Sequence, residues 1–177
     1  MSNRQAIVVD TETTSLNTQT CTILEVAAIN LTTGETLRFV PFIDATSLAE
    51  AEPIALSVNR YYERRLFEET QDRDSTARSY SLLTKMLRGN SLAGSNPRFD
   101  AAVLKRVIGE VWHHRLPDLS SYAAGVLGLP ITELLGLDKV CEKLDITNIE
   151  PHSALGDAQA TVECFHELAR LTNGARA

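Results

Sequence analysis

Apolar positions along this chain follow two periods, and the change from one to the other sketches a fold. Residues 5–10 form a short run rich in β-branched side chains, which predicts a strand. Residues 22–31 predict a second strand and 35–43 a third, with Thr33-Gly34 between them as a hairpin signal. Residues 44–74 are polar and carry Pro53, so they predict a long connection with short helices laid over the sheet. Beyond it the period lengthens. Residues 77–88 predict a helix closed by Gly89-Asn90, and 91–94 a short buried strand. Pro97 stands at a helix start, where a missing N–H costs nothing, and 98–112 continue that helix. Further helices are predicted over 119–127, 138–144 and 153–171, with Pro117 interrupting before the first. A meander followed by strands alternating with helices is a mixed α/β sheet with helices on its faces.

Four carboxylates sit badly in that pattern. Asp10 ends the apolar run AIVVD, and Glu12 follows two positions later. On a strand these two point to the same side and repel. Asp100 begins the stripe Asp100, Val103, Leu104, Val107, Ile108, Val111. Asp157 begins the stripe Asp157, Thr161, Cys164, Leu168, Leu171. Both stripes have helical spacing, so each Asp lies on a face its helix should bury. A buried carboxylate is costly unless paired or metal-bound, and hard oxygen ligands suit Mg²⁺ or Mn²⁺. His152, five residues before Asp157, reads as a base beside such a cation. Each residue taken alone has a plainer reading. DTETTSLN is also turn chemistry, Asp100 and Asp157 suit the first turn of a helix, and His152 after Pro151 suits a solvated loop. Together the five point to a metal-dependent hydrolase.

Bulk properties narrow the class. The 177 residues fit one domain, with 44% hydrophobic and 23% charged residues. A formal net charge of −6 argues against binding nucleic acid through a large basic surface, but not against a grip on a few nucleotides. The three cysteines, Cys21, Cys141 and Cys164, form no CxxC pair; Cys164 reads as a buried free thiol. The first residues, MSNRQ, lead straight into a run too short to span a membrane, so the expectation is a cytoplasmic protein without signal peptide.

Three segments, VVDTETTSL (8–16), SNPRFDAAVL (95–104) and HSALGDAQAT (152–161), resemble the three motifs of the DnaQ-like DEDDh exonucleases. That family includes the proofreading subunit of bacterial replicative polymerase. The resemblance implies a ribonuclease H-like α/β fold with a mixed five-stranded sheet flanked by helices, in a single domain over 1–177. The activity it implies is 3′–5′ removal of nucleoside 5′-monophosphates, from single-stranded DNA first, by a two-metal mechanism with Mg²⁺ or Mn²⁺. Carried over by motif position, Asp10, Glu12, Asp100 and Asp157 are the metal ligands, Asp10 bridging both ions, and His152 is the general base. The tyrosine branch would need Tyr at position 153, which is Ser153. Thr13 and Leu16 resemble the positions that hold and wedge the terminal nucleotide, and Asn96 the substrate-side Asn. Ser15 and Ser95 depart from the usual Gly and His. RNA as substrate, a polymerase-associated binding module, a DNA polymerase partner and a homodimer are the alternatives the resemblance leaves open.

Overall fold

The computed structural model of this chain describes residues 4–130 and 132–174. Residues 1–3, 131 and 175–177 of the expected 1–177 domain lie outside the described residues. In chain order the strands are β1 (Ala6–Thr13), β2 (Ile23–Asn30), β3 (Thr36–Phe39) and β4 (Ser91–Ala93). The helices are α1 (Ala45–Ala49), α2 (Pro53–Val58), α3 (Leu66–Glu69), α4 (Arg73–Leu87), α5 (Pro97–Ile108), α6 (Leu119–Leu127), α7 (Leu137–Leu144) and α8 (Ala154–Gly174).

The sheet order is β3-β2-β1-β4, with the first three strands antiparallel and β4 parallel to β1. Period-2 alternation sorts the β1 side chains between two helical layers. Ile7 and Val9 pack with Leu83 and Leu87 of α4 and Leu104 of α5. Val8 packs on the other side with Leu119 of α6, Val140 of α7, and Cys164 and Leu168 of α8. Every β2 residue is buried because both faces are covered. Burying one such Leu contributes about 1.5–3 kcal/mol, so these two layers hold the sheet rigid beneath whatever β1 carries.

The sheet has four strands among the described residues, not five. The position beyond β4 is reduced to one parallel bridge between Gly94 and Asp118. The Gly94 N–H donates to Pro117 O at 3.2 Å and the Leu119 N–H donates to Gly94 O at 2.9 Å. Pro117 has no N–H to extend the ladder, and the Asp118 carboxylate is already capping α6 through the Ser121 N–H. A strand cannot propagate through these two residues.

Two further differences bear on the site. β1 runs on through Asp10 and Glu12 to Thr13, so this segment is strand rather than turn. α5 stops at Ile108, where Gly109 adopts φ +72°, and Val107 on the expected buried stripe is exposed. All three cysteines are buried free thiols.

Candidate functional site

The two carboxylates of β1 share the face of Val8, and that face looks at α8. Asp157 stands in the first turn of α8. The register of β1 and the docking of one helix therefore suffice to gather Asp10, Glu12 and Asp157. One carboxylate oxygen from each lies within 4.8 Å of the others. Asp100 comes from the first turn of α5, on the other side of β1. There it is buried, and Thr11, the strand residue facing that side, donates its Oγ1–H to Asp100 Oδ1 at 2.7 Å.

Burial raises the proton affinity of all four carboxylates, and repulsion within the group adds to it for Asp10 and Glu12. Asp10 lies well above the usual carboxylate range, first through burial, then through the charges of Asp100, Glu12 and Asp157. Glu12 is pushed up to about 8 by burial, with Asp157 and Glu25 adding to the rise and Arg64 opposing it. Asp100 is pushed up to about 7 by burial, against the hydrogen bond from Thr11. Burial raises Asp157 too, while hydrogen bonds from Asn148 and from the His152 backbone oppose the rise. Two unit charges 4.8 Å apart repel by about 3 kcal/mol at an effective dielectric of 20. A divalent cation reverses the sign of that term, and the three gathered carboxylates, Asp10, Glu12 and Asp157, are the hard oxygen donors such an ion takes. The donor set fits the metal that the sequence implies.

The loop that leads into α8 is stitched to Asp157. The Asn148 side chain donates to Asp157 Oδ1 at 2.6 Å, and the His152 backbone N–H reaches the same oxygen at 3.3 Å. His152 itself is exposed and holds a left-handed φ of +60°, which strains a residue with a Cβ. Its imidazole makes no hydrogen bond among the described residues and is not part of the three-carboxylate group. Gly156 explains the HSALGD sequence: a Cβ there would meet Glu150 O at 2.3 Å and Ser153 Oγ at 2.8 Å. The loop folds so tightly over the first turn of α8 that only glycine fits.

Beside Glu12 opens a cleft of about 240 Å³, lined among others by Thr13, Leu16, Ile54, Val58 and Phe99. Leu16 stands on its rim, 84% exposed. Thr13 is fixed there by donating its hydroxyl to Ser15 O at 2.7 Å. Asn96 is not a lining residue of this cleft. It is exposed at the start of α5 with φ +60°, and its N–H donates to Asp118 Oδ1 at 3.3 Å.

Sequence reasoning missed a fifth carboxylate. Glu25 on β2 lies opposite Glu12 in the register and is fully buried. Two like charges facing each other across a ladder are unfavourable, so a counter-charge is required. Arg38 on β3 donates through Nε to Glu25 Oε1 at 2.7 Å, and Arg64 Nη2 approaches both Glu25 oxygens at 3.0 and 2.8 Å. The Ala154 N–H at the head of α8 also donates to Glu25 Oε2 at 3.1 Å. The signal was a glutamate amid the apolar run ILEVAAIN, whose partners lie too far along the chain to be read off.

Comparison with known proteins adds to this geometry. The model of a family described as exonuclease matches residues 7–165. No curated protein sequence matches the chain. Among solved structures, exonuclease I with bound product superposes with a TM-score of 0.72 at 19% identity, covering 97% of this chain and 46% of that one. E. coli exonuclease I in complex with a dT13 oligonucleotide gives 0.71 at 19% identity, covering 95% and 41%. A 3′-exonuclease with 3′-end specific recognition of histone mRNA stem-loop gives 0.67 at 13% identity, covering 98% and 67%. This chain thus spans less than half the length of the exonuclease I structures.

Proposed function

The chain belongs to the exonuclease family whose model spans residues 7–165, and from that membership we propose that it is a metal-dependent 3′–5′ exonuclease releasing nucleoside 5′-monophosphates from DNA. The reading rests above all on Asp10, Glu12 and Asp157, whose oxygens lie within 4.8 Å of one another where β1 meets the head of α8. Asp10, Glu12, Asp100 and Asp157 would hold two Mg²⁺ ions, or Mn²⁺ in their place, with Asp10 shared between them. A bound divalent ion supplies Lewis-acid stabilisation of charge on the phosphoryl oxygens.

The remaining roles belong to the chain's own groups. His152 accepts the proton of the attacking water, the role of a general base. Its exposed loop position leaves it able to meet substrate from solvent. Leu16 wedges beside the terminal base in the apolar cleft, Thr13 holds the nucleotide end, and Asn96 contacts the strand from the start of α5. A site of this size grips few phosphates, which suits a chain of net charge −6. With the carboxylates retained, catalysis is favoured over a role as a polymerase-associated binding module.

Single-stranded DNA is the first substrate in this reading. E. coli exonuclease I has been solved with a dT13 oligonucleotide, and the 3′-exonuclease is described with a histone mRNA stem-loop. Single-domain organisation over 1–177, a DNA polymerase partner and homodimerisation rest on the family resemblance. Among the described residues no helix is long and apolar enough to cross a membrane. The test is digestion of end-labelled single-stranded DNA, duplex DNA and RNA of matched sequence, with Mg²⁺ and with chelator. Faster loss of 3′-terminal nucleotides from DNA, only with Mg²⁺, is expected. Preference for RNA would transfer the proposal to an RNA-directed exonuclease, and no hydrolysis of any of them would overturn it.

A further inference from the structure

The Glu25 clamp holds more than a buried charge. Arg38 already gives Glu25 two contacts at 2.7 Å, through Nε and Nη2. Arg64 supplies the second guanidinium and then spends its other donors elsewhere. Its Nη1 donates to His152 O at 3.4 Å and to Asn59 O at 3.3 Å, and its Nε lies 3.4 Å from Glu150 Oε1. The side chain is only 9% exposed, so this fork is locked by packing rather than waving in solvent. The 150–154 loop is thus tied to Arg64 through the Glu150 side chain and the His152 backbone carbonyl, to Glu25 through the Ala154 N–H, and to Asp157 through the His152 N–H.

These ties converge on the residue with the unfavourable left-handed backbone. A non-glycine at φ +60° persists only where its surroundings over-determine it. Arg64 has the right chemistry for this. A planar guanidinium can bridge one carboxylate and two carbonyls at fixed angles, whereas an ammonium is a point charge.

We propose that Arg64 is a positioning residue for the reaction: it fixes the backbone of His152, and so the direction from which the imidazole approaches the attacking water. The proposal rests on the reading of His152 as the base. A purely structural Arg64 would only neutralise Glu25, and lysine could do that beside Arg38. A positioning Arg64 needs the fork.

The test compares wild type, Arg64→Lys, Arg64→Ala, His152→Ala and the double variant Arg64→Lys/His152→Ala on a single-stranded DNA oligomer with Mg²⁺. Arg64→Lys keeps the charge against Glu25 and serves where Arg64→Ala fails to fold. Misplacing a reacting group by an ångström costs up to ~10²-fold, so kcat of Arg64→Lys should fall ~10–10²-fold with KM nearly unchanged. The slower His152→Ala protein is read at higher enzyme concentration, and in that background Arg64→Lys should have almost no further effect. Independently of turnover, amide hydrogen exchange at 152–154 in chelator should quicken at least ~10-fold in Arg64→Lys, because local opening is easier. Equal kcat losses in both backgrounds, wild-type kcat in Arg64→Lys, a change in KM alone, or unaltered exchange overturns the proposal while leaving His152 as the base. Wild-type turnover by His152→Ala removes the base reading itself, and the proposal with it.

Discussion

Glu12→Gln should stabilise the cation-free protein at neutral and alkaline pH, and leave it unchanged in acid. Glu12 is raised from 4.5 to about 8 in the fold. The native state therefore holds this proton more tightly than the unfolded chain does. Below pH 4.5 the group is neutral in both states and costs nothing. As pH climbs toward 8 the unfolded chain ionises first, and stability falls until the native carboxyl follows. The loss amounts to roughly 5 kcal/mol at most. Burial is the leading cause of that rise, with the charges of Asp157, Glu25 and Asp100 adding to it and Arg64 opposing it. For a chain of this size each kcal/mol moves the melting temperature by about 2–4 °C, giving a gap of up to ~10–20 °C between variant and wild type above pH 8. Circular dichroism melts in chelator from pH 5 to 9 measure it. The two curves should converge at the acid end and diverge as pH rises. Parallel curves across the range would refute the electrostatic account of the site.

Other consequences can be checked singly. Excess Mg²⁺ should raise the wild-type melting temperature by the equivalent of about 2.7 kcal/mol at a hundredfold the dissociation constant, and an equal shift in a variant lacking both Asp10 and Glu12 would place the ions elsewhere. His152→Ala should lower turnover ~10²–10⁴-fold while the Mg²⁺ midpoint of the melting shift stays put; an unchanged rate identifies a solvated loop histidine. Gly156→Ala should cost about 1–3 kcal/mol in a urea titration, since its Cβ has no room beside Glu150 O, and a silent substitution would show that the loop gives way easily. Digestion of linear single-stranded DNA should release mononucleotides from the 3′ end while circles persist; rapid cutting of circles would mark an endonuclease.

Much of this architecture was legible in the residues. Period-2 spacing put Asp10 and Glu12 on one side, and helical spacing put Asp157 at the head of a buried stripe; the fold then joined the two because the Val8 face of β1 packs on α8. The α6 range of 119–127 could be read directly because Pro117 and Gly128 bracket it. Three kinds of feature stayed hidden. Glu25 passed as part of an apolar strand because its counter-charges, Arg38 and Arg64, lie 13 and 39 residues away. The left-handed His152 and the bare space required at Gly156 depend on how one loop crosses one helix, which no local pattern encodes. The missing fifth strand follows from two competing uses of 117–118, a proline without a donor and an aspartate committed to a helix cap. Asn96 had a motif position but no cleft contact, because it opens α5 facing Asp118.

The most direct test of the central claim, that these carboxylates form a cation-dependent exonuclease centre, is turnover of Asp10→Asn beside wild type on a 5′-labelled single-stranded DNA in saturating Mg²⁺. Asn keeps the shape of Asp10 and removes the charge that Asp100, Glu12 and Asp157 all oppose. A shrinking ladder with wild type, an intact substrate with Asp10→Asn, and a variant that still melts cooperatively are the predicted results. Equal ladders from the two proteins would contradict the account.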